Sequence, residues 1–333
     1  MDSFTGKLAV VTGGGSGMGR ELVRQLAAQG CSVGACDIHV ESVAETAALA
    51  RAAADERVLV TSHACDVADE AQVLRFRDEL VKAHDTDHVD LVFSNAGIGG
   101  AGSFVCDKRA DWERTFAIDF WGTYYCARAF LPLLIAGGDG ILVNTSSVNG
   151  FWATLGPGMP NTAYSTAKFA VKGFSEALIE DLRTNAPQVT VAVVMPGHVG
   201  TDIIKNTRRI LGYPGPEQMG EAELEEARPA LARLGLPAAE MTLDELRETV
   251  VKLENQFKAG APLSAAAAAT IILDGVRAGN WRILVGDDAI GVDRAVRARP
   301  EDAYDYAALA AAAREARATG APAPDAPPAP DGP

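Results

Sequence analysis

Tyr164 and Lys168, in the stretch AYSTAKFAV, stand four residues apart, a spacing that places two side chains on neighbouring turns of one helix face. An ammonium beside a phenol favours the phenolate, drawing its pKa below the usual value of about 10 and making the tyrosine an acid or base usable near neutrality. The same spacing also fits a surface helix on which the lysine stem covers apolar neighbours, so the chemical reading needs support elsewhere in the chain. His198, in PGHVGT, reads as a hydrogen-bonded loop residue rather than a catalyst. The five cysteines are dispersed and lack CxxC spacing, which points to free thiols in a reducing compartment and to no structural metal.

Support comes first from TGGGSGMGR, which follows an apolar run and precedes a helical period. Gly13, Gly17 and Gly19, with Ser16 and Met18 between them, allow a tight turn in which backbone N–H groups at a helix N-terminus approach a diphosphate. The next apolar run ends in Asp37, where a carboxylate can accept from both ribose hydroxyls of adenosine and would repel a 2′-phosphate. This favours NAD over NADP, although Arg20 could contact a phosphate.

These residues need a frame. Short runs such as KLAVVTG, CSVGACD, RVLVTSHACD, VDLVFSNAG, GILVNTSS and VTVAVVMPG alternate with stretches of helical period through residues 5–200, the pattern of βαβ units around a parallel sheet covered on both faces. From Asp202 to Ala261 the strand signal stops. Within that segment Thr242 and Glu245 have capping-box spacing, and Leu246, Val250, Leu253 and Phe257 form an apolar stripe. The segment 202–261 is expected to be a helical insertion packed over the sheet's edge. SAAAAATIILDGVRAG and RILVG then read as a last helix and strand, so residues 1–318 form a single domain. An Ala-rich helix over 302–318 and a disordered Pro/Ala tail over 319–333 complete the reading.

Composition narrows the function classes. With 44 acidic against 30 basic residues the net charge is -14, which repels a phosphate backbone or an anionic membrane surface. The start of the chain lacks a signal-like pattern, and an uncharged apolar run of about 20 residues is absent. A cytoplasmic protein without nucleic-acid or membrane partners is expected.

TGxxxGxG at residues 12–19, CDV at 65–67, NAG at 95–97, NTSS at 144–147, YxxxK at 164–168 and PGHVGT at 196–201 occur in this order, and over residues 5–201 the chain resembles a short-chain dehydrogenase/reductase. The resemblance implies a doubly wound, Rossmann-like parallel sheet of about seven strands with helices on both faces, a nicotinamide cofactor and a homodimer or homotetramer. It also implies that Asp66 and Val67 meet the adenine, that Asn95, Ala96 and Gly97 border the cofactor, and that the turn of Pro196, Gly197, Val199 and Thr201 holds the nicotinamide carboxamide. Ser147 would hydrogen-bond the substrate oxygen, with Ser146 as the alternative; Tyr164 would exchange a proton with that oxygen; Lys168 would bind the nicotinamide ribose.

Two departures stand out. Ser147 precedes Tyr164 by 17 positions instead of the 13 usual in many members, because WATLGPGMPNTA lengthens the loop between them. Asp119 occupies a position that usually holds asparagine. Trp112, Phe116, Asp119, Thr123 and Cys126 share helical spacing, so Asp119 should face inward, where its carboxylate must be hydrogen-bonded, paired with Lys168 through water, or protonated. The reading is an NAD-dependent oxidoreductase that interconverts a secondary alcohol and a ketone. Its substrate would be hydrophobic, of cyclic, terpenoid or steroid-like type, covered by the insertion and by Phe151, Trp152, Leu155 and Met159. An NADP-dependent carbonyl reductase and a non-catalytic NAD-binding sensor are the competing readings.

Overall fold

The computed structural model describes residues 1–100 and 102–307. The β-branched and small apolar runs form the strands β1 (Leu8–Thr12), β2 (Ser32–Asp37), β3 (Val60–Ala64), β4 (Leu91–Ser94), β5 (Gly140–Thr145) and β6 (Val189–Pro196). The short strands β7 (Val199–Gly200) and β8 (Leu263–Ser264) follow, and then β9 (Arg282–Val285). Between them run α1 (Gly17–Ala28), α2 (Val40–Ala53), α3 (Glu70–His84), α4 (Arg109–Phe116), α5 (Gly122–Gly137) and α6 (Thr162–Asn185). The remaining helices are α7 (Ile203–Ile210), α8 (Glu221–Arg233), α9 (Leu243–Ala259), α10 (Ala265–Arg277) and α11 (Asp287–Ala298).

Seven strands pair in parallel in the order β3-β2-β1-β4-β5-β6-β9, the doubly wound arrangement that the alternating pattern calls for. β1, β4 and β5 are wholly buried, as strands covered on both faces must be. One layer of the core joins Leu22, Leu26, Val33 and Ile272, so α1, α2 and α10 cover that face. The other joins Phe76, Leu80, Phe130 and Leu134, from α3 and α5. Strand order reverses between β1 and β4, so the loops at their carboxyl ends diverge and leave a crevice there.

The segment 202–261 is helical and carries the capping box: Thr242 Oγ1 accepts from Glu245 N and the Glu245 carboxylate accepts from Thr242 N. Its placement differs from expectation. α9 packs against α7 and β7, beyond the carboxyl end of β6 and not over the sheet's edge strand β9. Leu246 is fully buried with Met219, Leu224 and Leu231 in a small separate cluster, and Val250 and Leu253 pack on it. The apolar stripe therefore serves mainly the insertion's own core. At the other end, Pro300–Asp302 is a single 3-10 turn; most of the helix expected over 302–318 and all of the tail expected over 319–333 lie outside the described residues.

Candidate active site

The turn after β1 carries Gly13 and Gly17 with φ of +67° and +53°, the left-handed region that favours glycine. A Cβ at Gly13 would stand 2.8 Å from the Ala96 Cα, and one at Gly19 would stand 2.0 Å from the Gly13 carbonyl, so the loop lies flat against its own helix and against the segment after β4. Ser16 precedes α1 without capping it through its side chain; its Oγ instead accepts from Asn206 Nδ2 at 3.0 Å. The first-turn N–H groups of α1 are thus left for an anion. The cleft in front of them is lined by Gly13, Ser16, Gly17, Met18 and Gly19, by Asp37 at the end of β2, and by Asp66 and Val67 after β3. Asn95, Ala96, Gly97 and Thr201 complete the expected residues that line it.

Asp37 Oδ2 accepts from Gly15 N and Oδ1 from His39 N, both at 2.9 Å. Each oxygen keeps a further lone pair for a ribose hydroxyl. Arg20 donates to the Gly15 carbonyl at 2.8 Å and pairs with Glu45, which commits it to the loop's structure. Asp66 pairs with Arg114 at 2.6 Å across the cleft. Thr12 Oγ1 accepts from Asn95 N and Ala96 N at 3.0 and 3.1 Å, which clips the Asn95–Gly97 segment to β1. Asn95 Oδ1, His39 Nε2 and Asp119 Oδ2 are buried without a partner among the described residues, and such atoms call for a ligand or water. The crevice, the free helix terminus and the carboxylate fit a dinucleotide.

Ser147, Tyr164, Lys168 and Asp119 converge beyond Gly97. Lys168 is buried; its Nζ donates to the Thr145 carbonyl at 3.1 Å, lies 3.5 Å from Asp119 Oδ1 and stands 5.3 Å from the centre of the Tyr164 ring. A Cβ at Gly97 would sit 2.6 Å from Asp119 Oδ1 and 3.1 Å from Lys168 Nζ, so this glycine makes room for the pair. Ser147 Oγ accepts from Asn149 N at 3.1 Å and stands beside the phenol. Ser146 Oγ donates to the Lys168 carbonyl at 2.7 Å, which spends that hydroxyl on anchoring α6 and leaves Ser147 as the serine at the phenol.

Asp119 is fully buried, as its spacing requires, whereas Trp112 and Phe116 on the same stripe are only partly covered. The helix is not regular here. Ala117–Trp121 forms a π-turn between α4 and α5, the widened geometry often found at functional sites. Asp119 Oδ1 accepts from Ile98 N at 3.0 Å and its carbonyl accepts from Thr123 Oγ1 at 3.0 Å. Burial raises its carboxyl to about 6, with Lys168 and the Ile98 N–H pulling the other way. The Lys168–Asp119 approach is therefore direct rather than bridged by water.

The Tyr164 phenol corrects the simple electrostatic argument. Lys168 and the Ser147 hydroxyl do lower its pKa, but burial outweighs them and the Asp119 charge adds to the rise, so the net shift in the protein alone is upward. The turn after β6 is likewise only partly as expected. Thr201 lines the cleft, while Pro196, Gly197 and Val199 do not. Gly197 packs so closely on Asp288 that a Cβ would meet its carboxylate at 2.3 Å, and His198 N donates to Asp288 Oδ2 at 2.6 Å. His198 Nε2 is paired with the Phe257 carbonyl at 2.7 Å, the bystander role its loop position implied. Sequence reasoning missed Asn206, which reaches Ser16, and Thr207, whose Oγ1 accepts from Gly99 N at 2.7 Å. Neither lies in a motif, and only the fold brings α7 over the cleft.

The family model for short chain dehydrogenases matches residues 7–211. The SadH protein of Mycobacterium tuberculosis is 35% identical over 293 residues, covering 88% of this chain and 91% of its own. A short-chain dehydrogenase/reductase from Burkholderia phymatum, solved with NAD, aligns with a TM-score of 0.70 at 27% identity over 91% of this chain and 95% of its own. A metagenomic short-chain oxidoreductase solved with NADP aligns with a TM-score of 0.52 at 28% identity, over 63% and 90%. The chain belongs to the short-chain dehydrogenase/reductase family. It is an oxidoreductase of NAD(P)-dependent type. No helix among the described residues is long and apolar enough to cross a membrane.

Proposed function

We propose that this protein oxidises a hydrophobic secondary alcohol to a ketone with NAD, and catalyses the reverse reduction, with Tyr164 as the acid/base. The observation that carries the reading is the convergence of Ser147, Tyr164 and Lys168 behind Gly97, a residue that lines the same cleft as Asp37. When bound, the oxidised nicotinamide supplies the hydride acceptor and a positive charge that favours the phenolate. Gly13 to Gly19 and Asp37 would hold its diphosphate and adenosine ribose, and Lys168 its nicotinamide ribose through the donor left beside Thr145 and Asp119.

Ser147 donates a hydrogen bond to the substrate oxygen and orients it. The Tyr164 phenolate takes the hydroxyl proton, and in the reverse direction the phenol returns it. Because burial raises the phenol, oxidation should climb with pH into the alkaline range. Residues 1–318 act as one catalytic unit, with the 202–261 segment as its cover. The apolar side chains of Ile98, Ile203 and Ile210 around the cleft and of Phe151, Trp152, Leu155 and Met159 in the long loop support an apolar, ring-containing substrate. Asp37 supports NAD, since its charge opposes a 2′-phosphate.

The test is reduction of NAD and of NADP by the purified protein across aliphatic, cyclic, terpenoid and steroid secondary alcohols. Turnover with NAD and a ring alcohol is expected. Faster turnover with NADP would overturn the cofactor assignment, and turnover confined to short aliphatic alcohols would overturn the substrate class.

A further inference from the structure

The segment Ala303–Tyr306 lies against the lengthened loop between Ser147 and Tyr164. Trp152 Nε1 donates to the Ala303 carbonyl at 2.6 Å, Ala153 N donates to the Tyr304 hydroxyl at 3.2 Å, and the Thr154 and Tyr306 hydroxyls share a bond of 2.8 Å. Thr154 and Ala303 are both buried. From this anchor the bonds run inward. Asn149 Nδ2 donates to the Thr154 carbonyl at 2.8 Å and to the Trp152 carbonyl at 2.9 Å, while Asn149 N donates to Ser147 Oγ at 3.1 Å. Tyr306 is thus joined to the Ser147 hydroxyl through two intervening residues, Thr154 and Asn149.

We propose that Ala303–Tyr306 is a positioning element for the substrate: it fixes the loop and, through Thr154 and Asn149, the Ser147 hydroxyl. A loop rich in Gly and Pro has many conformations in reach, and without outside anchors its ordering would be charged against substrate binding. The loop ties itself through Asn149 and through Thr154 and Gly156; the clamp from outside comes from Ala303–Tyr306. None of these residues lines the dinucleotide cleft, so the effect is confined to the alcohol. The inference rests on the reading that Ser147 orients the substrate oxygen.

The test uses the full chain with Tyr306→Phe, Thr154→Val, Thr154→Ser and the double variant Tyr306→Phe/Thr154→Val. Tyr306→Phe should lower kcat/KM for the alcohol roughly 3- to 10-fold, the range for one lost hydrogen bond, and Thr154→Val at least as much, because its hydroxyl also bonds Gly156, with the KM for NAD unchanged in both. The double variant should be no worse than the worse single one, since both remove the same bond. Thr154→Ser keeps the hydroxyl and should retain the parent kcat/KM. Unchanged kcat/KM in both single variants, an equal loss for cofactor and alcohol, or a Thr154→Ser as impaired as Thr154→Val would overturn the proposal. Absence of turnover by the parent protein on any alcohol would count against the functional reading instead. In that case hydrogen exchange over residues 151–161 decides the clamp: faster exchange in Tyr306→Phe supports it, and unchanged exchange refutes it.

Discussion

Replacing Asp119 by asparagine removes a buried charge at nearly constant shape. The side chain is fully buried, 3.5 Å from the Lys168 ammonium. Burial lifts its carboxyl from 3.8 to about 6, so in the alkaline range it is ionised, and its charge raises the Tyr164 phenol. Since the ammonium lies 5.3 Å from the phenol ring centre, carboxylate and ring are less than about 9 Å apart. Unit charges at that separation interact by ~2 kcal/mol at an effective dielectric of about 20, equivalent to roughly one pH unit. Asp119→Asn should therefore move the half-maximal pH of alcohol oxidation down by roughly one unit. The assay is the pH profile of kcat/KM at saturating NAD. An unmoved profile, or one moved upward, would refute the coupling between carboxylate and phenol.

Stability gives an independent readout of the same group. An acid whose folded pKa is raised stabilises the fold below its unfolded pKa of 3.8 and loses that contribution as pH climbs through about 6. The loss amounts to ~3 kcal/mol. Asp119→Asn lacks it, so urea denaturation should show the variant gaining about that much relative to the parent between about pH 4 and pH 8; a constant difference would contradict the assignment. Tyr164→Phe should lower turnover by roughly 10²- to 10⁴-fold while NADH binding, read by fluorescence, is retained; loss of binding would instead mark the residue as structural. Asp37→Ala removes the acceptor of the Gly15 and His39 N–H groups and should lower the ratio of NAD to NADP efficiency, measured by steady-state kinetics. Gly97→Ala brings a methyl within 2.6 Å of Asp119 Oδ1 and should cost about 1–3 kcal/mol of stability together with activity; a variant with parent melting temperature and turnover would show that the pair has room to move.

The strands were legible because each is a short run rich in β-branched or small apolar residues between stretches of helical period, the inner ones buried on both faces; all seven of the main sheet fall where those runs lie. The cleft was legible for a local reason: a backbone that must turn at φ of +67° and +53° needs glycines, and the glycines sit in fixed order with Asp37. What the sequence could not show is what depends on distant contacts. The π-turn at Ala117–Trp121 leaves no trace in the residue types that form it. The insertion's stripe signalled a buried face without saying that its partners would be Met219, Leu224 and Leu231. The direction of the Tyr164 shift turns on burial, which spacing does not report. The bonds from Ala303–Tyr306 to the loop join segments 151 and 152 residues apart and have no sequence signature.

The central claim, that Tyr164 moves the proton while the alcohol carbon gives its hydride to NAD, is tested most directly with a secondary alcohol deuterated at the carbinol carbon. The account predicts that the parent protein delivers the deuterium into NADH with a primary isotope effect when chemistry is slow. It predicts that Tyr164→Phe binds NADH yet transfers label slower by orders of magnitude. Label appearing in solvent, or Tyr164→Phe transferring it at the parent rate, would contradict the account.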